Sequence, residues 1–347
     1  MMIPPIPMEE TLDFLVNLLN IPSPTGDTAA ALDYVAGSCK DLPLEQRRPR
    51  KGGLLLTWPG NESRPRALTA HVDTLGAIVQ KIKDDGRLQL SAIGGFDWHS
   101  LEGEGCTVVT AGGLAYRGSI LPIKASVHIY GNEARELKRV AENYEVRLDA
   151  RTLDVAETRA LGISVGDFVA IDPRVEMNAG FIRSRHLDDK AGVAAIYGAL
   201  LALHRAGLPP RDRVDILISS YEEVGHGAAA GLPSDVAELV AVDMAAAGGP
   251  QNSDEFSVGI CAKDSGGPYH LELRRHLETL AQTYEIPYRV DIYPHYSSDG
   301  ESAWRAGADC KVALIGPGVD ASHSYERTHR DSVEATVRLI TAYLLSA

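Results

Sequence analysis

The sequence predicts an α/β fold, a mixed and mostly parallel β-sheet flanked by helices, with an inserted β-rich, barrel-like domain. Towards both ends of the chain, apolar runs of strand length alternate with segments of helical periodicity, which is typical of a sheet covered by helices on both faces. In the middle, short β-like pieces are separated by glycines instead. We therefore expect an α/β domain formed by residues 1–73 and 174–347, interrupted by an inserted domain at 74–173.

The helices of the α/β domain are predicted from apolar residues that recur every three or four positions. In the first, EETLDFLVNLLN, these are Leu12, Leu15 and Leu19, and prolines and a glycine follow the segment. In the second, Asp188 and Asp189 stand at the capping positions. The second and third predicted helices are DDKAGVAAIYGALLALHRAG (188–207) and HLELRRHLETLAQTYEI (270–286).

The predicted strands of the α/β domain include continuous apolar runs, as expected where a strand is buried on both faces. They are RALTAHVD (66–73), RVDILISSYEE (213–223), AELVAVDMA (237–245) and CKVALIGPG (310–318). In the insert, only NEARELKRVAENYE (132–145) and VAETRALG (155–162) are predicted to be helical. Its β-like pieces are GRLQLSAIGG, CTVVTAGGLAYRGSI, KASVHIY and GDFVAI.

The composition is that of a globular protein with a sizeable core, with 44% hydrophobic and 23% charged residues among 347. The net charge of −13 disfavours nucleic acid and anionic membranes as partners, because both attract clustered Lys and Arg. No apolar run approaches the roughly 18 residues of a membrane helix, and the start, MMIPPIPMEE, lacks the features of a signal peptide. The four cysteines form no CxxC pair, so we expect reduced thiols in a cytoplasmic protein.

A set of polar residues shares one position, at the C-terminal end of a predicted strand or in the loop after it. This edge is where open α/β sheets bind ligands. Histidines and carboxylates suit zinc or cobalt, and one His and one carboxylate per ion plus a bridging carboxylate would make a two-metal site. The residues are His71, Asp73, Asp188, Glu222, Glu223, Asp243 and His323.

Each of these residues also has an ordinary structural explanation. A single strand-end histidine is more often a satisfied polar group than a ligand, a DD pair is usually a helix cap, and an EE pair is usually a solvated edge. Their convergence on one sheet edge favours a metal site, because clustered carboxylates repel each other unless a cation holds them. Adjacent strand residues project in different directions, so one glutamate of SSYEEVGHG can bind a metal while the other serves as a general base.

The motifs around these residues resemble those of one family over nearly the full length. AHVDTLGAIV, RHLDDKAG, SYEEVGHGA, AVDMA and HSYERTH look like successive motifs of the M42 metallo-aminopeptidases, the tetrahedral aminopeptidases. In the insert, GGFDWHSLEGEGCTVVT, RGSI and LGISVGDFVAIDPR are similar to the dimerisation domain of that family. The combined pattern is specific, whereas no single motif is.

The resemblance implies a dinuclear aminopeptidase that hydrolyses the N-terminal peptide bond of short peptides. It implies two divalent cations, Zn²⁺ or Co²⁺ with Mn²⁺ as a further candidate, and dimers that assemble into a hollow dodecamer. Asp188 would bridge the ions, Glu222 would be the general base on a bridging water, and Asp73 would orient His71. The full implied ligand set is His71, Asp188, Glu223, Asp243 and His323.

The chain departs from the family pattern at several points. Thr74 stands where the family usually has an acidic residue, and HYSSDGESA and HSYERTHRDS differ from the commoner forms near the last ligand. The ending also resembles a bacterial M42 subgroup associated with synthesis of a small N-acetylated dipeptide amide osmoprotectant. These departures leave open whether the substrate is general peptides or one dedicated small peptide.

Other functions fit the sequence less well. KDSGGP would make Ser265 the nucleophile of a trypsin-like protease, but the alternation of strands and helices contradicts the β-barrel fold that such enzymes need. A glycosidase would use Glu222 and Glu223 and leave the other residues of the set unused, and a non-catalytic metal-binding assembly would not need Glu222. The strongest alternative is a metal-dependent deacylase or carboxypeptidase, which would not require a free α-amino group on a small amide substrate.

Overall fold

A computed structural model describes residues 2–346. The helices of this part of the chain are α1 (Met8–Leu19), α2 (Ala29–Ser38), α3 (Val127–Tyr130), α4 (Asn132–Glu136), α5 (Val155–Ala160), α6 (Leu187–Ala206), α7 (Leu271–Thr283), α8 (Asp299–Arg305) and α9 (Arg330–Leu345). The strands are β1 (Glu45–Arg47), β2 (Leu54–Trp58), β3 (Asn61–His71), β4 (Gly76–Ile82), β5 (Leu88–Ile93), β6 (Gly105–Val109), β7 (Ala115–Pro122), β8 (Tyr144–Leu148), β9 (Phe168–Ile171), β10 (Glu176–Asn178), β11 (Phe181–Ser184), β12 (Asp212–Ser219), β13 (Glu238–Val242), β14 (Ala245–Ala247), β15 (Val258–Lys263), β16 (Tyr288–Ile292), β17 (Lys311–Asp320) and β18 (Glu326–His329).

A 12-stranded mixed sheet forms the centre of the α/β domain. Its middle is parallel, with β3 between β12 and β13, and β17 on the far side of β13. Antiparallel strands such as β1, β2 and β18 extend it on both sides. The central strands are buried along most of their length, which explains their continuous apolar sequences. The predicted fold class is confirmed.

Helices cover the sheet and share its hydrophobic core. Helix α6 is buried along almost its whole length, because it contacts β3 and β17 and packs between α1 and α9. Its small residues, among them Ala191, Ala194 and Ala195, allow this close packing. This packing holds the N-terminus of α6, and with it Asp188, against the sheet.

The insert folds as a closed barrel of six strands in the order β4-β5-β8-β7-β6-β9. It has a separate hydrophobic core, to which Val79, Leu90, Val108, Ile120 and Val146 contribute. The predicted barrel-like insert is thus present, with strands from Gly76 to Ile171. The domain boundaries at 74 and 173 stay a prediction.

The predicted helix at 132–145 is wrong beyond its first turns. Helix α4 ends at Glu136, and Tyr144 already begins β8. The buried Tyr144 ring stacks on Trp98 with 5.5 Å between ring centroids, and β8 pairs with β7 along the barrel. Tertiary pairing therefore overrides the local helical preference of this segment.

No helix within residues 2–346 combines the length and the apolar composition that crossing a bilayer requires.

Candidate metal centre

The predicted site residues meet at the C-terminal edge of the parallel strands. His71 is the last residue of β3, Asp243 follows β13, and Asp188 lies in the first turn of α6. The glutamate pair follows β12, and His323 lies in the loop between β17 and β18. All of these residues except His71 line a cavity of about 650 Å³. The fold thus brings together residues that are up to 252 positions apart, from His71 to His323.

Two groups of three possible ligands share the carboxylate of Asp188. The first is His71, Asp188 and Asp243, and the second is Asp188, Glu223 and His323, with ligand atoms within 4.8 Å of one another in each group. Asp188 Oδ1 is 3.2 Å from His71 Nε2, and Asp188 Oδ2 is 3.4 Å from His323 Nε2. The two oxygens of one carboxylate therefore face different histidines.

The histidine of the first group is oriented by the main chain of Asp73. His71 Nδ1 is 2.9 Å from the carbonyl oxygen of Asp73 and 3.6 Å from its carboxylate oxygen Oδ1. A hydrogen bond to this carbonyl requires a proton on Nδ1, so Nε2, which faces Asp188, is the nitrogen that a neutral imidazole would offer to a cation. His323 is arranged in the same way, because its Nδ1 hydrogen-bonds to the Gly95 carbonyl, which belongs to the insert.

The two adjacent glutamates lie in a turn and not in the strand. Strand β12 ends at Ser219, and Tyr221 has a φ of 72°. The prediction that the two glutamates end a strand is therefore wrong, and the turn, not strand alternation, makes their side chains diverge. Glu223 Oε2 is 3.6 Å from His323 Nε2, whereas Glu222 Oε2 is 3.6 Å from His71 Nε2. Glu223 belongs to the second ligand group, and Glu222 belongs to neither group.

Asp73 holds this turn in place. Its carboxylate accepts hydrogen bonds from the backbone N–H groups of Glu222, at 3.2 Å, and Glu223, at 3.3 Å. The Thr25 hydroxyl donates a third hydrogen bond, of 2.7 Å. The expected role of Asp73 in orienting His71 falls mainly to its carbonyl, while its carboxylate positions the glutamate pair.

The site concentrates negative charge that the protein alone does not neutralise. Burial, together with neighbouring carboxylates, raises the pKa of Glu222 and of Glu223 well above the usual range and that of Asp243 to about 8. Burial also acts to raise the pKa of Asp188, but hydrogen bonds from His323 and His71 lower it overall. Divalent cations would remove this repulsion, so the donor set fits metal ions.

Sequence reasoning missed Glu326, which supports both ligand groups from behind. Its buried carboxylate accepts a hydrogen bond of 3.1 Å from the Asp188 N–H and one of 3.0 Å from the His323 N–H. Burial, and next the charge of Asp188, raise its pKa to about 8. The only signal in the sequence was its position three residues after His323, in HSYERTH.

Asp299 was also missed and lies beneath the same edge of the sheet. Its carboxylate accepts hydrogen bonds from the Thr69 hydroxyl, at 3.0 Å, from the Ala228 N–H, at 2.7 Å, and from the Ser219 hydroxyl. It therefore connects β3 and β12 to the loop after the glutamate pair. Two groups of His and carboxylate ligands, supported in this way at the edge of an α/β sheet, define a candidate metal-dependent hydrolase.

Comparisons with known proteins agree with this class. A family model described as M42 glutamyl aminopeptidase matches residues 52–339. YhfE of Bacillus subtilis (strain 168) is 47% identical to this chain over 341 residues, which are 98% of each protein. That protein is provisionally named an aminopeptidase. The chain belongs to the M42 peptidase family and is a peptide hydrolase. Membership implies that it uses a divalent metal.

Solved structures confirm the fold. The aminopeptidase APDkam598 from Desulfurococcus kamchatkensis superposes with a TM-score of 0.88 at 22% identity, covering 98% of this chain and 96% of that one. The TET1 peptidase of Pyrococcus horikoshii has a TM-score of 0.85 at 23% identity, with 97% and 100% covered. At these identities the likeness concerns the fold alone.

We predict that the metal-free protein loses stability as the pH rises. In the folded state the pKa of Asp243 rises from 3.8 to about 8 and that of His323 from 6.5 to about 10. Because the folded state binds these protons more tightly than the unfolded state, the stabilisation is largest near pH 4 and is lost as the pH passes through the folded-state pKa values. Glu222, Glu223 and His71 shift in the same direction.

Urea unfolding of the chelated protein at pH 5, 6.5 and 8 measures this dependence. The midpoint should fall with pH, and excess Co²⁺ should remove or reverse the decline. Asp243→Asn should flatten the slope for the chelated protein. A midpoint that rises between pH 5 and 8 without metal would contradict the electrostatic description of the site.

We predict that Glu326→Gln weakens metal binding without unfolding the protein. The amide has one acceptor oxygen and no charge, so the N–H groups of Asp188 and His323 lose part of their support. Changes of this kind behind a ligand typically cost about 10–100-fold in metal affinity. Competition with a chromophoric chelator measures the affinity, with Glu9→Gln as the control because the Glu9 side chain is 81% exposed. Equal affinities for both variants would contradict the role of Glu326.

Proposed function

We propose that the protein is a dinuclear-metal aminopeptidase that removes the N-terminal residue of short peptides. The observation that carries the proposal is the carboxylate of Asp188, shared by two groups of three ligands. One imidazole and two carboxylates per group suit Zn²⁺ or Co²⁺, with Mn²⁺ as a further candidate. His71 and Asp243 would complete one site, and Glu223 and His323 the other.

When bound, two such cations would polarise the scissile carbonyl and acidify a water molecule. The protein supplies the group that takes the proton. Glu222 lies outside both ligand groups but within 3.6 Å of His71 Nε2, and Asp73 fixes its backbone. A buried carboxylate in this position can accept a proton from the water and return it to the leaving amine. We therefore assign Glu222 as the general base.

The charged side chains that line the cavity indicate which end of a peptide it binds. Within the part of the chain that the structure describes, neither Lys nor Arg lines the cavity, and its charged lining groups are carboxylates beside the imidazoles of His295 and His323. The terminal carboxylate that a carboxypeptidase must bind would therefore find no Lys or Arg side chain in the cavity, apart from the two cations that the reaction itself needs. This observation supports aminopeptidase over carboxypeptidase activity.

We propose that the protein assembles into a homo-oligomer, as dimers that form a dodecamer. The structure describes thirteen large apolar residues with exposed side chains within residues 2–346, and seven of them lie in the insert, between residues 74 and 173. Ile129 is 76% exposed and Leu153 73%. Apolar exposure of this kind marks interaction surfaces. The TET1 peptidase of Pyrococcus horikoshii can assemble into a tetrahedron or a large octahedral shell.

We predict that Glu222→Gln and Glu223→Gln impair the enzyme in different ways. Glu222→Gln keeps both ligand groups, so bound metal should stay at the wild-type level while turnover falls by about 10²–10⁴-fold, as for a lost general base. Glu223→Gln removes a charged ligand, so it should lower bound metal, and excess metal should restore part of the activity. Metal content and turnover are measured on the same preparation of each variant.

The substrates in this experiment are a free aminoacyl amide and its N-acetylated counterpart. If the wild-type protein hydrolyses the N-acetylated amide but not the free aminoacyl amide, aminopeptidase activity is refuted and a deacylase is favoured. If Glu222→Gln loses metal and Glu223→Gln keeps it, the two roles are reversed. If both variants retain full activity, the assignment of the site is wrong.

Light scattering at micromolar concentration tests the assembly. We expect a mass of twelve chains for the wild type and a smaller species for Ile129→Asp, because a carboxylate would be buried in an apolar contact. Leu271→Asp serves as the control, since Leu271 is 50% exposed but lies in α7, outside the insert. A monomeric wild type would refute the proposed assembly.

A further inference from the structure

The hydroxyl of Tyr296 is an unpaired polar group at the metal cavity. Tyr296 lies between β16 and α8 and lines the cavity together with Asp188 and Asp243. Its hydroxyl oxygen is buried and has no hydrogen-bond partner within residues 2–346. The hydroxyl lies near the Asp243 carboxylate and lowers its pKa as a weak hydrogen-bond donor, but the two groups do not reach the geometry of a formed hydrogen bond. A donor without a formed hydrogen bond thus lies at the wall of the cavity, beside Asp243 of the first ligand group.

Other tyrosine hydroxyls in buried surroundings of this molecule are paired. The Tyr343 hydroxyl donates to Glu238 at 3.1 Å, and that of Tyr269 donates to Asp264 at 2.6 Å. The Tyr293 hydroxyl, three residues before Tyr296, is 2.8 Å from the Ser253 hydroxyl. Because buried polar groups nearly always find partners, an unpaired one needs an explanation, and a ligand that enters the cavity is the simplest.

The loop that carries Tyr296 is fixed from behind. The carbonyl oxygen of Tyr296 accepts hydrogen bonds from the Ser265 N–H, at 3.0 Å, and from the Ser265 hydroxyl, at 2.6 Å. The ring of Tyr293 lies 5.4 Å from that of Tyr296 between centroids. These contacts give the KDSGGP segment a structural role, since Ser265 holds the backbone from which the Tyr296 hydroxyl projects.

We propose that the Tyr296 hydroxyl donates a hydrogen bond to the scissile carbonyl oxygen of the substrate, and does so more strongly as that oxygen becomes negative. Attack of water oxygen on the carbonyl carbon forms one C–O bond and moves the π electron pair onto the carbonyl oxygen. The Tyr296 proton stays on its hydroxyl throughout, and the water proton goes to Glu222. The proposal rests on the proposed aminopeptidase function. A fixed donor of this kind stabilises the transition state more than the bound substrate.

Tyr296→Phe removes the donor and leaves the ring. We expect kcat to fall by about 10²–10³-fold, as for the loss of one oxyanion donor, with KM and bound metal close to wild type. The aminoalkyl phosphonic acid that matches the preferred N-terminal residue should bind at least about tenfold more weakly, because it imitates the tetrahedral state. The corresponding free amino acid should bind as it does to the wild type. Calorimetry gives both affinities.

Two further variants complete the experiment. Tyr288→Phe is the control, since the Tyr288 hydroxyl lies away from the cavity and accepts a hydrogen bond from the Gln282 side chain. Ser265→Ala loosens the loop from an exposed position and should lower kcat in the same direction by a smaller factor. If Tyr296→Phe does not fold, Ser265→Ala decides: a wild-type kcat for that variant overturns the proposal.

Several results would overturn the inference. A Tyr296→Phe variant with the kcat of the wild type would overturn it. A Tyr296→Phe variant that loses bound metal would also overturn it, because Tyr296 would then support the ligand Asp243. Equal weakening of the phosphonic acid and the amino acid would mean that the hydroxyl binds the α-amino group instead. In these cases the wild type still cleaves peptides, and the proposed function stands. A wild type that does not cleave unblocked peptides would overturn both.

Discussion

The structure of the site depends on one carboxylate, that of Asp188. Its two oxygens face two histidines from opposite ends of the chain, His71 and His323, at 3.2 and 3.4 Å. Asp243 and Glu223 approach the same point from two other elements. Such a concentration of buried negative charge is unfavourable without cations. The fold must therefore hold the ligands in place against their mutual repulsion.

The support for these ligands comes from carboxylates that bind backbone N–H groups. Asp73 holds the turn of the glutamate pair, and Glu326 holds the backbone of Asp188 and His323. Because these bonds fix the backbone, they determine where each side chain starts and leave its oxygen or nitrogen free for a cation. The inserted barrel contributes as well, since the Gly95 carbonyl orients His323. The insert is thus part of the support of the site, and it also carries exposed apolar residues.

The sequence predicted the sheet, the barrel and the convergence of the candidate ligand residues, because strand ends in an α/β fold meet at one edge. It could not predict features that depend on distant contacts. The turn that separates Glu222 from Glu223 is fixed by Asp73, about 150 positions earlier, so strand periodicity gave the wrong reason for their divergence. In the sequence, Glu326 and Tyr296 are ordinary polar residues. Only the fold shows that Glu326 binds the backbone of Asp188 and His323, and that the Tyr296 hydroxyl forms no hydrogen bond. The segment at 132–145 has helical composition, and only its pairing with β7 makes part of it a strand.

The most direct test of the central claim is anomalous diffraction from crystals soaked with Zn²⁺ after chelation. Data collected on both sides of the zinc absorption edge locate each ion independently of the protein coordinates. We predict two peaks per chain, both in contact with the Asp188 carboxylate, one beside His71 and Asp243 and the other beside Glu223 and His323. A single peak at saturating zinc, or two peaks of which one does not touch Asp188, would contradict the shared-carboxylate site.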